Sequence, residues 1–528
     1  MLKQSVEEYL NQINYGEDPL NPYIPSAFAL NFVNFIKLVN GSTGETNKSP
    51  VVHMRMLDQL AGTKVRLANL CSRGLGKTTL FAEYLVLYIA VFGDIEGFGD
   101  VSAMIYVSDS MENGVKSARK NIEFRYNNSE WLQHWVPEAK FTDNYLEFKN
   151  TEGHRLGVKM FGAKTGLRGT KIFGQRPVLA VLDDLVSDED AKSKVSMDAI
   201  KATVYKGVDY ALDPRRRKIV FNGTPFNKGD ILYEAVESGG WHVNVWPICE
   251  KFPCTREEFR GAWEDRFTYD FVKEQYDLAV ATGEVASFMQ ELMLRVTSEE
   301  ERLVQDGEIR WYARAGLLKN RNRFNFYITT DFATSERQSA DDSAISVWAI
   351  NAQGDWFWVD GMAKRQTMDK NIDALFSYAQ IYKPQGVGIE VTGQQGGFIQ
   401  WIQQQMMDRN IWFNLTSDQN GNKPGIRPNT SKLQRFNTVV PLFKAGHMYY
   451  PEEMKTSVVV GKHIEQITLA TMGGLKAKHD DCLDTVSLLA SMKAWRPSEE
   501  APMQQVDGIY APEDEEYDSS GTMNSYIV

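Results

Sequence analysis

The stretch Cys71-Ser72-Arg73-Gly74-Leu75-Gly76-Lys77-Thr78-Thr79 constrains this chain more than any other. Two glycines followed by Lys-Thr-Thr form a loop whose backbone N–H groups converge on an anion. Such a loop is held open by a strand entering it and a helix leaving it. The flanks meet that requirement, because Thr63 to Leu70 reads as a buried strand and the apolar spacing after Lys77 is that of a helix packed on a sheet. Ser72, Arg73, Gly74, Leu75, Gly76, Lys77, Thr78 and Thr79 are therefore the expected ATP-binding residues. Lys77 would reach the β and γ phosphates, and Thr78 would hold Mg²⁺. Cys71 stands where the pattern G-x-x-x-x-G-K-[ST] has its first glycine.

A phosphate loop that hydrolyses ATP also needs carboxylates at the end of a second strand, one in the metal shell and one to orient or deprotonate water. The segment RPVLAVLDDLVSDED supplies them: Val178 to Leu182 is an apolar strand ending in Asp183 and Asp184. Asp183 is the metal-shell candidate and Asp184 the base, with Glu189 or Asp190 as alternatives for the base. Further β-rich runs at Ala103 to Ser110, Leu156 to Thr170 and Arg217 to Asp230 alternate with helical stretches. This implies an α/β fold with an open, largely parallel sheet and its site at the strand C-termini.

At 528 residues the chain exceeds what one hydrophobic core usually supports, and two domains are expected. The longest apolar run, Tyr84 to Phe92, is too short to span a bilayer, and the N-terminus lacks the order of a signal peptide. A cytoplasmic location without membrane contact is the expectation. Cys71, Cys249, Cys254 and Cys482 form no paired metal-binding set and read as buried thiols. The net charge of −11 argues against a surface that coats nucleic acid indiscriminately, though not against a local basic channel. Part of it comes from the last residues, Pro497 to Val528, which contain several acids and no Lys or Arg and read as a disordered acidic tail.

The phosphate loop with Arg73 inside it, the acidic pair after an apolar strand, and FNGTPF about forty residues further on resemble the large subunit of the tailed-bacteriophage terminase. The resemblance implies an additional-strand P-loop ATPase domain followed by a nuclease in one chain. It further implies that Arg73 senses the γ phosphate and that Gly223, Thr224 and Pro225 couple hydrolysis to motion. It also implies a trans-acting arginine in this region, Arg168, with Arg176 as second choice, that completes a neighbour's ATP site. The family usually has Glu after the metal aspartate, where this chain has Asp184.

The second half tests that resemblance. Phe324 to Thr330, Ala344 to Ile350 and Trp356 to Met362 are β-rich runs joined by turns, followed by a helical stretch (Asp369 to Tyr382) and a strand ending in Glu390. Three antiparallel strands and then helix-strand alternation is the order of a ribonuclease H-like domain. Such domains cut phosphodiesters with two Mg²⁺ or Mn²⁺ ions roughly 4 Å apart, and hard divalent ions take carboxylate oxygens. Asp331 after the first strand, Glu390 after the fourth, and Asp480, Asp481 and Asp484 on a late helix are the candidates. At 100° per residue the three late aspartates span a sector of about 100°, opposite Cys482, Leu483, Val486 and Leu489. Asp481 is expected to matter most, with Asp480 second. The same positions match the terminase nuclease pattern, with His479-Asp480-Asp481 as its late run and Asp342 as an accessory acid.

The expected organisation is an ATPase domain over residues 1–295 with a helical lead-in, a charged linker over 296–312, a nuclease domain over 313–496 and the acidic tail. Lys423, Arg427, Lys432 and Arg435, in and after a polar loop, are candidate DNA contacts, and the Arg215 to Lys218 run reads as a solvated edge. The resemblance implies double-stranded DNA, the portal protein of the procapsid and a small terminase subunit as partners. It also implies a homo-oligomeric ring, a pentamer, during packaging. The competing readings are a helicase-like or recombination ATPase fused to a nuclease, and a docking subunit with degenerate sites.

Overall fold

The structure is a computed structural model that describes residues 4–16, 22–41, 47–191, 193–227, 229–297, 301–333, 342–391, 396–421, 423–477 and 479–497. The expected acidic tail lies, beyond Pro497, outside the described residues. Strands of the first half are β1 (Arg66–Cys71), β2 (Ala103–Ser108), β3 (Glu138–Phe141), β4 (Tyr145–Lys149), β5 (Arg155–Gly162), β6 (Leu179–Asp183), β7 (Lys218–Gly223) and β8 (His242–Trp246). They form one sheet in the order β8-β1-β7-β6-β2-β5-β4-β3. The pairings from β8 through β5 are parallel, and β4 and β3 extend the sheet antiparallel. One strand, β7, stands between the strand entering the phosphate loop and the strand ending in Asp183. That is the additional-strand arrangement expected from the sequence.

Strands β2, β6 and β7 are buried along their whole length because helices cover both faces. Leu67, Met104, Val181 and Val220 face the helix that leaves the phosphate loop, which is π-wound over Thr79–Tyr84 and α-helical over Leu85–Phe92. Ala68, Ile105, Leu182 and Phe221 face the opposite layer, with Ile200, Val208 and Ile231. A row of amides fixes the register between the central strands. Asn244 Nδ2 donates to Asn69 Oδ1 at 2.7 Å, and Asn69 Nδ2 donates to Asn222 Oδ1 at 2.8 Å. Slipping β1 by one residue would strand these buried groups without partners.

The second half is built on β9 (Arg310–Tyr312), β10 (Asn325–Asp331), β11 (Ser343–Ile350), β12 (Trp356–Lys364), β13 (Gly386–Ile389) and β14 (Met448–Pro451), in the order β9-β14-β12-β11-β10-β13. Strands β10, β11 and β12 pair antiparallel, and β13 joins β10 in parallel after the helix Met368–Tyr382. This is the ribonuclease H-like order read from the sequence. Among the described residues no helix is long and apolar enough to cross a membrane.

Two expectations need correction. Of the expected linker 296–312, residues 301–312 are packed: Leu303 N–H donates to Ala470 O at 2.9 Å, Val304 is fully buried, and Arg310–Tyr312 is an edge strand of the second sheet. The apolar residues Leu303, Val304 and Ile309, interspersed among the charges, are what it buries. In the Arg215 to Lys218 run, Arg215 is exposed, but Lys218 is wholly buried and donates to the carbonyls of Gly62 and Lys64, at 3.1 and 2.8 Å.

Two histidines are buried in these cores. His53 contacts Leu75 O at 2.6 Å, and His463 lies between Ser346 Oγ and Tyr450 Oη. Burial lowers their pKa values to about 4 and about 3. Each is therefore neutral in the fold, while the unfolded chain takes up a proton below about pH 6.5. Their contribution to stability is present above pH 6.5 and is lost as pH falls toward 4, with a slope of up to about 1.4 kcal/mol per pH unit for each. Denaturant unfolding at pH 7, 6 and 5 should show this as a difference: the acid-side loss is smaller in His463→Gln and His53→Gln than in the wild type. Parallel pH profiles for variant and wild type would contradict the neutral, buried state.

Candidate active sites

The loop after β1 turns on Gly74 and Gly76, at φ +84° and +73°, conformations that a side chain strains. This brings Lys77, only 7% exposed, against the end of β6. Its Nζ is 3.1 Å from Asp184 Oδ2 and donates to Thr224 Oγ1 at 3.3 Å. Thr224 Oγ1 in turn donates to Cys71 O at 2.8 Å, so the Gly223-Thr224-Pro225 segment is tied to both ends of the loop. Asp184 has φ +45°, a conformation uncommon for a non-glycine residue, which turns its carboxylate into the cavity. That cavity, of about 720 Å³, is lined by Lys77, Thr78, Tyr106, Asp183, Asp184 and Thr224.

Burial first, and the neighbouring Asp184 second, push Asp183 up to about 7, against the opposing pull of Lys77 and a hydrogen bond from Thr78. Tyr106 Oη donates to Asp183 Oδ2 at 3.3 Å. Asp183 Oδ1 and Ser72 Oγ are buried without a hydrogen-bond partner among the described residues, beside Lys77 and Thr78. A phosphate with a hard divalent ion has the complementary charge and acceptors, so the donor set fits Mg²⁺-ATP.

The other expected residues divide between this cavity and its surroundings. Arg73 lines the rim, and its Nε is 2.7 Å from Glu291 Oε2. Thr79 and Gly76 line a second cavity, of about 460 Å³, with His53, Trp263 and Arg266. Glu189 and Asp190 line an adjoining cavity of about 600 Å³, where Asp190 pairs with Lys164; of the base candidates, only Asp184 faces Lys77. Arg168 is exposed on a turn before Gly169, and Arg176 donates to Tyr210 O at 2.6 Å. Tyr106 was missed in the sequence reading; its position two residues before the end of a parallel strand was the available signal.

The second site gathers at the ends of β10 and β13. Asp331 closes β10, Glu390 directly follows β13, and the helix Asp481–Ser487 delivers Asp484. Burial first, then Asp484, push Asp331 up to about 8, with Glu390 and Asp480 adding to the effect and Lys432 opposing it. Burial raises Glu390 and Asp484 as well. Two cations of the helix Lys432–Lys444 lie among these acids. Lys432 Nζ is 2.6 Å from both Asp480 Oδ1 and Asp484 Oδ2, and Arg435 Nη2 donates to Glu390 Oε2 at 3.1 Å and to Asp484 Oδ1 at 2.9 Å.

Clustered carboxylates of this kind suit hard divalent ions. Among the described residues, however, no three His, Cys, Asp or Glu side chains stand ready in a metal-holding arrangement. The acids are instead spaced around the two cations.

The ranking of the late aspartates changes. Asp481 Oδ2 accepts the backbone N–H of Asp342 at 3.1 Å, and Asp342 is paired with buried Lys462. Asp484, ranked below Asp480 and Asp481 from the sequence, is the residue linked to Glu390 through Arg435. Every residue from Asp481 to Ser487 is buried, those on the acidic side of the helix included. The reason is tertiary: the helix packs against β10, β11, the helix Val458–Thr468 and the helix Lys432–Lys444 together. Lys432 and Arg435, expected as DNA contacts, turn inward to the acids.

Residues 328–493 match the family model of the terminase RNaseH-like domain. Among solved structures, the large terminase of bacteriophage HK97 aligns at 14% identity over 92% of this chain and all of its own, with a TM-score of 0.29. The nuclease domain of the human cytomegalovirus terminase aligns at 13% identity over 36% of this chain and 95% of its own, with a TM-score of 0.27. The large terminase nuclease of thermophilic phage G20c, with bound magnesium, aligns at 14% over 31% of this chain and 79% of its own, with a TM-score of 0.22. No curated protein matches the chain. On the family match, the domain that carries Asp331, Glu390 and Asp484 is a terminase RNase H-like domain.

Proposed function

We propose that this chain is the ATP-driven motor and nuclease of a bacteriophage packaging machine, moving duplex DNA into a procapsid and cutting the concatemer. The observation that carries the reading is that one chain ends two different sheets in chemistry. One sheet holds a lysine of a glycine loop 3.1 Å from a strand-end aspartate, and the other gathers Asp331, Glu390 and Asp484 in a domain of the terminase nuclease family.

In the first site the loop N–H groups and Lys77 hold the phosphates, and Thr78 and Asp183 stand where they can hold Mg²⁺. Asp184 orients and deprotonates the attacking water once its pairing with Lys77 is given over to phosphate. Bound Mg²⁺ would supply charge neutralisation at the leaving phosphate. Arg73, released from Glu291, serves the γ phosphate. Thr224, tied to Cys71 and Lys77, passes the change in the loop to Gly223, Pro225 and β7.

In the second site Asp331, Glu390 and Asp484, with Asp480, would hold two Mg²⁺ or Mn²⁺ ions, whose charge would favour ionised water and a negative leaving oxygen. The partners that follow are duplex DNA, the procapsid portal, a small terminase subunit and further copies of this chain in a pentameric ring. The test is packaging of linear duplex into purified procapsids with ATP. Unwinding of duplex without packaging would favour a helicase-like ATPase fused to a nuclease.

Separate sites predict separable defects. Lys77→Ala should lower ATP turnover by at least about 10²-fold and leave Mn²⁺-dependent nicking intact. Asp331→Asn should abolish nicking and leave ATP turnover intact. Loss of both activities in either variant would contradict two independent sites. Exposed Arg168 gives a further test, since an arginine completing a neighbour's ATP site is worth roughly 10³ to 10⁵ in turnover. Arg168→Ala should bind ATP yet hydrolyse it poorly, and mixing it with Lys77→Ala on procapsids should restore turnover. No gain in the assembled mixture would remove Arg168 from that role.

A further inference from the structure

The nuclease carboxylates are surrounded by more positive charge than a metal site needs. Lys432 Nζ stands 2.6 Å from an oxygen of Asp480 and 2.6 Å from an oxygen of Asp484, bridging the two aspartates as a divalent ion would. Arg435 closes the other side, between Asp484 and Glu390, and its side chain is only 11% exposed. The Lys432 side chain is 44% exposed, so it reaches the acids from the mouth of the site, with solvent on its other side. It also opens a helix of thirteen residues, Lys432–Lys444, whose N-terminus adds positive potential at the same mouth. The charged groups around Lys432 are thus Asp480, Asp484, Asp331 and Glu390, with Arg435 sharing Asp484.

We propose that Lys432 is a resting-state counter-ion of the nuclease site, a positioning residue that divalent metal must displace and that then binds the DNA phosphate entering at the mouth. The inference rests on the metal-dependent nuclease reading given above. It follows from the geometry that metal and lysine compete for Asp480 and Asp484. Metal entry frees the ammonium for the substrate, and bound phosphate keeps it from returning. Metal and DNA therefore favour each other's binding, and the coupling is reciprocal. The isolated chain holds metal weakly until duplex is present, which confines cutting to engaged DNA.

The test uses the full chain and Mn²⁺ alone, followed by electron paramagnetic resonance in the absence of DNA. Lys432→Gln should bind Mn²⁺ about tenfold more tightly than the wild type, while Lys432→Arg, which keeps the charge, should stay at wild-type affinity. In Ca²⁺, with a random-sequence 30-base-pair duplex, Lys432→Gln should bind DNA more weakly and show a salt slope lower by about one. Equal or weaker Mn²⁺ binding by Lys432→Gln overturns the inference, as does tightening of the same size in Lys432→Arg. Asp331→Asn separates the two levels of the argument. If it loses Mn²⁺ while Lys432→Gln is unchanged, only the counter-ion role fails; if it binds Mn²⁺ like the wild type, the metal reading fails and the counter-ion role with it.

Discussion

Carboxylates buried at the ends of strands must share their space with a proton or a positive charge, because a low dielectric tolerates neither isolated nor crowded anions. Both sheets of this chain end in such carboxylates, and in both a lysine from an adjoining helical segment answers them. Lys77 meets Asp184 from the start of the helix that leaves the phosphate loop, and Lys432 meets Asp480 and Asp484 from the first turn of another helix. The surrounding architecture is what brings each lysine to its acids. Strand β7 sets the spacing between loop and aspartates in the first half, and in the second the crossing of the helix Lys432–Lys444 with the helix Asp481–Ser487 sets it. On the proposed function, ligand phosphate and divalent metal would exchange for charges already in place, which would lower the cost of holding an open anionic site.

The two halves are also bound to each other. Tyr276 Oη donates to Gly461 O at 2.9 Å, Arg295 donates to Lys476 O at 2.6 Å, and Lys476 pairs with Glu7 at 2.9 Å. Gly461 is required at that contact, since a Cβ there would lie 2.9 Å from Pro253 Cγ. The next residue, Lys462, holds Asp342, and Lys251 and Glu258 of the first half lie close enough to act on that pair electrostatically. Asp342 in turn donates its backbone N–H to Asp481. A contiguous run of packed and charged groups thus leads from the segment after β8 to the edge of the nuclease acids.

The legible part of the fold was the part written in local pattern. The strand before Ser72, the strand before Asp183 and the antiparallel triplet before Glu390 were each read within one or a few residues of their observed bounds, because buried strands announce themselves as short apolar runs between turns. The additional strand was legible only through its resemblance to a family, since nothing in the local pattern of Lys218–Gly223 says that it inserts between β1 and β6. The packing of residues 301–312 was hidden by composition, as five charged residues are interspersed among the apolar residues that dock them.

What the sequence by itself determined is the set of chemical groups and the elements that carry them: a glycine loop with Lys77, the pair Asp183 and Asp184, and carboxylates after the first and fourth strands of a second sheet. These follow from neighbours along the chain, which strand and helix periodicity place on known ends and faces. Tertiary structure alone decided which of several nearby acids serve each site and what faces them. It set Asp184 rather than Glu189 or Asp190 against Lys77, turned Asp484 toward Glu390 and Asp481 toward Asp342, and drew Lys432 and Arg435 into the acidic cluster. The physical reason is that burial and charge pairing depend on every element packed around a helix, and a helical wheel holds only the angle of each residue about its own axis.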